Sequence, residues 1–410
     1  MPGIRSRVRT ATWLTLFGLL LAACSGATSD ATDAAAGDAS DQATADSGDN
    51  GDSGSDGAAS TSADDPPPFP WEVDDPPASV PLSEIRRGGP PPDGIPPIDD
   101  PSFEDVEAAG EWLTDQDPVL LVDRGDDTRA YPLAIMTFHE IVNDEVGGDP
   151  LVVTYCPLCN SGLVFERTVD GEVLDFGTSG RLWNSNLVMY DRSTRSLWSQ
   201  FTGEAIVGER LGTTLERVPM QIVAFSDFAE QFPDGQVLSR DTGHNRPYGS
   251  NPYVGYDSAE SPFLFDGETG GDLPQMARIV TTGGDADPVA YPLDTLQKEQ
   301  VITDTVDGDP VVVFWAPGTA SALDAQDISE AADVGATGVF RPVADGQELT
   351  FVPEGDEQFR DTETGSTWTV LGTAVDGPLA GEQLERVPHD DTFWFVQFAF
   401  RPETRVVGSG

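Results

Sequence analysis

Residues 141–155, Ile141-Val142-Asn143-Asp144-Glu145-Val146-Gly147-Gly148-Asp149-Pro150-Leu151-Val152-Val153-Thr154-Tyr155, decide the fold. Two strand-like runs, Ile141 to Val146 and Leu151 to Tyr155, flank Gly147-Gly148. Paired glycines allow the positive backbone angles of a two-residue turn, so the stretch predicts a β-hairpin. Upstream, Val119 to Asp123 is an apolar run ending in Arg124-Gly125-Asp126-Asp127. Downstream, Leu187 to Tyr190 and Ser196 to Gln200 flank Asp191 to Arg195, and a short helix is expected near Ser226 to Gln231. Short strands divided by turn signals predict a mainly β chain, not a helical bundle or a parallel α/β sheet.

The hairpin occurs twice. Ala130-Tyr131-Pro132-Leu133 recurs as Ala290-Tyr291-Pro292-Leu293, and Gly148-Asp149-Pro150 as Gly308-Asp309-Pro310. Asp191 and Trp198 match Asp361 and Trp368, and Leu215-Glu216-Arg217-Val218-Pro219 recurs as Leu384-Glu385-Arg386-Val387-Pro388. Two related β-rich repeats are expected, at 101–270 and 271–410. They would form two packed domains or one pseudo-symmetric body, of meander, barrel or sandwich type. Residues kept in both copies serve the fold, and those present in one copy are free to serve a site.

The N-terminal part has another character. Arg5, Arg7 and Arg9 precede an apolar run, Trp13 to Ala23, that is too short to span a bilayer. It ends in Leu21-Ala22-Ala23-Cys24, which resembles a bacterial lipobox. Residues 1–23 are therefore expected to be a signal peptide and Cys24 a lipidated residue. Such an anchor would hold the protein on a membrane, facing outside the cytoplasm. Residues 24–100 are expected to form a disordered tether, first rich in Ser, Ala, Asp and Gly, then in Pro. The net charge of −49, from 71 acidic against 22 basic residues, excludes general nucleic-acid binding. No EF-hand loop is present.

The candidate site lies at the end of the hairpin. Beyond Cys24 only Cys156 and Cys159 remain, as Cys156-Pro157-Leu158-Cys159. The second copy has Ala316 and Thr319 there, and Glu299 in place of His139. Continued past Ile141, the hairpin register sets His139 across from Cys156, with facing Cβ atoms about 5 Å apart. Three chemistries fit. Two thiolates and an imidazole suit copper or zinc. A C-x-x-C after a strand also suits a thiol-disulfide oxidoreductase. A structural disulfide of a non-catalytic surface module is the third. The joint absence of all three residues from the second copy favours the metal. His244, in a turn-rich loop, is a candidate further ligand, whereas His389 is expected at the surface. Arg181, Asn184, Ser185 and Asn186 belong to a polar segment, 177–186, whose composition the second copy lacks, and with Arg192 they are expected to line a pocket beside Cys156. Whether the chain is an enzyme stays open at this level.

Three blocks in order resemble a known bacterial family. They are His139-Glu140-Ile141-Val142-Asn143-Asp144, Thr154-Tyr155-Cys156-Pro157-Leu158-Cys159, and Trp183-Asn184-Ser185-Asn186 through Tyr190-Asp191-Arg192 to Leu197-Trp198-Ser199-Gln200. The family is that of domain of unknown function 3179. The resemblance covers about Asp117 to Tyr256, the second half matching only in framework. It implies that His139, Cys156 and Cys159 belong to the family's own pattern, and it implies no activity.

Overall fold

Gly147 and Gly148 both take positive φ, 62° and 92°, and close the expected hairpin. In the computed structural model, which describes residues 67–408, strand Ile141–Val146 pairs antiparallel with Asp149–Cys156. Ile141 faces Thr154 and Val146 faces Asp149. Strand Ser161–Glu166 adds to the free edge of Asp149–Cys156. The signal segment, Cys24 and the tether as far as residue 66 lie outside the described residues.

The two copies repeat element for element. Strands Pro118–Arg124 and Asp127–Pro132 lead into helix Leu133–His139 and then the hairpin. Strands Arg278–Thr282 and Val289–Pro292 lead into helix Leu293–Glu299 and its hairpin in the same way. Each copy continues with an antiparallel meander, through Phe176–Trp183, Asn186–Asp191, Leu197–Ser199 and Ala205–Val207 in the first. Each then returns a strand to its opening one. Gln221–Ala224 pairs with Pro118–Arg124, and His389–Phe393 pairs with Arg278–Thr282. A helix follows each returning strand, Phe225–Gln231 and Trp394–Phe400. The chain is mainly β, arranged in many small sheets.

Residues kept in both copies hold turns. Asp191 accepts from the Thr194 amide at 2.6 Å and the Trp198 indole at 2.9 Å. Asp361 accepts from the Thr364 amide at 2.5 Å and the Trp368 indole at 2.9 Å. Both tryptophans are fully buried, so their N–H groups have no access to water.

The repeats are not independent globules. One apolar cluster joins Leu120, Ile141 and Val153 to Phe393, Phe395 and Val396. Another joins Val119 and Leu121 to Phe314, Phe340 and Trp368. Among the described residues the arrangement is thus one pseudo-symmetric body.

The tether was expected to reach residue 100, and from residue 67 onward it is instead part of the body. Phe69, Ile85 and Ile98 are buried. Ile98 donates its amide to Ile141 O and accepts from the Asn143 amide, both at 2.9 Å. Strand Arg86–Arg87 pairs with Phe176–Trp183. Proline lacks an amide donor, so this proline-rich segment can lie on the body while leaving few backbone donors unpaired. The few apolar residues between the prolines supply the contact that composition alone concealed.

Asp191→Ala and Asp361→Ala each strand a buried indole N–H. Each should cost about 2–3 kcal/mol, read from the urea midpoint, and the two losses should add.

Candidate functional site

Strand Asp149–Cys156 delivers Cys156 at its last position, and a tight turn carries Cys159 back toward Ser161–Glu166. The Cys159 amide donates to Cys156 O at 3.1 Å, and Asn160 takes φ 52°. The turn is seated on the second repeat. Cys159 O accepts from the Phe393 amide at 3.0 Å and the Thr392 hydroxyl at 2.9 Å. Asp390 accepts from the Ser161 hydroxyl at 2.6 Å and the Gly162 amide at 3.1 Å. Asn160 donates to Asp391 O at 3.1 Å. Burial pushes the Asp390 carboxyl up to about 7, against the pull of Arg217 and of these hydrogen bonds.

The two thiols are free and buried, and they lie close enough for Cys156 to act on Cys159. Burial, and then the neighbouring Cys156, push the Cys159 thiol well above its ordinary pKa. Asn186 opposes this by donating to Cys159 Sγ at 3.4 Å. The same amide nitrogen reaches Gln200 Oε1 at 2.7 Å, and Gln200 donates to Thr154 Oγ1 at 3.0 Å. The Cys159 thiol donates to Ser185 O at 3.6 Å. A sulfur pair backed by a connected amide network is therefore the chemical centre of this region.

His139 does not join it. The hairpin register holds through Ile141, and Glu140 O still accepts from the Tyr155 amide. One residue earlier the chain is already helical, with His139 the last residue of Leu133–His139. The imidazole lies buried with Nδ1 2.7 Å from Pro96 O and Nε2 2.6 Å from Tyr248 Oη. Burial, with the neighbouring His244 and Arg246, pushes its pKa down to about 4. His244 lies on the side of His139, ring centroids 5.4 Å apart. The expected loop does fold over a functional candidate, but over the histidine and not over the sulfurs. Both ring nitrogens of His139 are engaged, and among the described residues no group of three His, Cys, Asp or Glu side chains is placed to hold a metal ion. The expected two-sulfur, one-imidazole copper or zinc set is not assembled among the described residues.

The expected pocket residues divide. Asn186 and Ser185 reach Cys159 as described. Asn184 and Ser185 form the left-handed turn, φ 51° and 62°, that brings Asn186 there. Arg181, with its strand neighbour Leu182, lines a cavity beside the cysteine turn, and its guanidinium stacks on Trp71 at 4.4 Å. Arg192 is remote, paired with Asp99 at 2.6 Å. His389 is buried, not exposed, with Nδ1 3.0 Å from Val387 O. Sequence reasoning missed Thr154, Gln200 and Asp390. A signal existed for two of them: by the same alignment of copies, Phe314 and Val370 stand where the first copy has Thr154 and Gln200.

Fold and site together define a duplicated β protein with one buried dithiol, held between its copies. The model of the family described as "protein of unknown function (DUF3179)" matches residues 92–404, and the chain belongs to that family. The match runs through both repeats, well beyond the stretch whose motifs carry the resemblance. Comparison with curated proteins and with solved structures gave no match.

Asp390 sets a pH dependence. Its folded pKa, about 7, lies above that of a free carboxyl, so between about pH 4 and 7 the folded state holds more protons than the unfolded one. Its contribution to stability is therefore complete at low pH and is lost as pH rises through 7. Thermal melts across pH 4–8 should show Asp390→Asn lacking that fall, whose steepest slope is about 1.4 kcal/mol per pH unit.

Proposed function

We propose that the protein is a thiol-disulfide redox protein carried on the outer face of a membrane, and that Cys156 and Cys159 are its working pair. The observation that carries this reading is the contact between two free thiols at the ends of one Cys-Pro-Leu-Cys turn. Two sulfurs so close need no third donor to do chemistry, whereas a His/Cys metal set needs an imidazole that is engaged elsewhere. The lipobox-like Leu21-Ala22-Ala23-Cys24 supports the location.

The reaction is an exchange with an external disulfide. Cys156, 2 % exposed against 0 % for Cys159, is the attacking sulfur. As a thiolate it displaces one sulfur of the incoming disulfide, and a mixed disulfide forms. Cys159 then attacks Cys156 and releases the second thiol. Two electrons and two protons leave the dithiol and appear on the two product thiols. The raised pKa of Cys159 keeps it protonated while Cys156 reacts, and the Asn186 amide stabilises charge on its sulfur when its turn comes. Deep burial makes this a slow, selective pair, not a general reductant.

Equilibration in glutathione buffers, followed by intact mass and alkylation, should give one intramolecular disulfide. Its potential should lie between about −120 and −270 mV, and Cys156→Ser and Cys159→Ser should each abolish it. A potential below about −300 mV would mark an inert structural bond and end the proposal. So would stoichiometric copper or zinc lost on Cys156→Ser. His139→Ala should leave the potential of the pair in place. Labelled palmitate should enter the wild-type chain and not Cys24→Ala.

A further inference from the structure

Beside the cysteine turn lies a cavity of about 390 Å³, whose lining includes Leu158, Tyr253, Tyr256, Phe263, Glu140 and also Arg181, whose guanidinium is stacked on Trp71. The walls are chiefly apolar and aromatic. The Tyr253 and Tyr256 rings meet at 62° with centroids 6.5 Å apart, and the Tyr256 hydroxyl donates to Leu158 O at 3.0 Å, which fixes one wall. Phe263 is 51 % exposed and edges the cavity toward solvent.

Glu140 is out of place in such a lining. It is 7 % exposed, and among the described residues its carboxyl has no hydrogen bond and no ion pair. Burial alone raises its pKa, to about 8. The second copy provides a control. Gln300 occupies the same helix-ending position with the same left-handed backbone, φ 57° against 60°. There the amide is satisfied by Gly355 O and Asp356 O, at 3.4 and 3.1 Å. The backbone thus accepts a neutral side chain, and the fold does not require the acid. An unpaired buried carboxyl stays protonated to avoid the cost of a buried charge, and it ionises when a cation meets it.

We propose that this cavity binds a compact organic ammonium ion, with Glu140 as its counter-charge and Tyr253, Tyr256 and Phe263 as its aromatic wall. Aromatic faces attract a diffuse cation and tolerate its alkyl groups. One carboxylate among apolar walls cannot replace the oxygen shell of a metal cation, which asks for six or more ligands. The net charge of −49 draws cations toward the surface and repels anions. The inference stands on Glu140 and the cavity and is independent of the thiol reaction.

The test is calorimetric titration of the full chain with choline chloride, at constant ionic strength maintained with sodium chloride. Saturable binding is expected. The uncharged isostere 3,3-dimethyl-1-butanol should bind at least about tenfold more weakly. Glu140→Gln, which installs the residue that the second copy carries, should weaken choline by at least about tenfold with an unchanged melting temperature. Equal binding of the alcohol, equal binding by Glu140→Gln, or no saturable choline binding would each overturn the assignment. The alcohol comparison uses the unaltered chain and decides the matter even if the variant fails to fold.

Discussion

The cysteine turn depends on one interaction across the duplication. Asp390, from the second repeat, accepts from Ser161 and Gly162 of the first, while Thr392 and Phe393 hold Cys159 O. These bonds fix a loop that is otherwise held by its own tight turn and by contacts to Ser185, Asn186 and Tyr256. The groups are buried, so each bond is made away from competing water, and an unmade one would be costly. The thiols, the amide network behind them and the strand that follows all take their positions from this seat.

The same arrangement explains the division between the copies. In the first, polar side chains reach inward: Thr154, Gln200 and Asn186 form a chain that ends on sulfur. In the second, Phe314 and Val370 fill the positions that match Thr154 and Gln200, and pack in a shared apolar core. One copy carries the chemistry and the other supplies the wall against which it is held. The Asp-Trp turns, common to both, belong to neither task and keep the meanders folded.

Much of this was legible in the sequence, and for identifiable reasons. The glycine pair fixed the hairpin and its register because positive φ at two successive positions leaves little choice. The internal repeat separated Asp191 and Trp198 from site residues. The position of His139 was not legible, because the period-two reading was carried one residue too far. A left-handed Glu140 ends the helix there, and nothing about a glutamate announces that conformation. Phe69, Ile85 and Ile98 were hidden for a different reason: three apolar residues among prolines do not alter the composition of a tether-like segment. Asp390 was invisible because its partners lie more than two hundred residues away, and no local pattern encodes such a distance.

A shared core has a consequence for the history of the molecule. Once Phe393 and Phe395 were buried among side chains of the first copy, neither half could be discarded without laying open the interior of the other. The second copy could then do without sulfurs and imidazole, but it could not disappear. Duplication here acts as a ratchet: the half without the reactive groups is indispensable by shape.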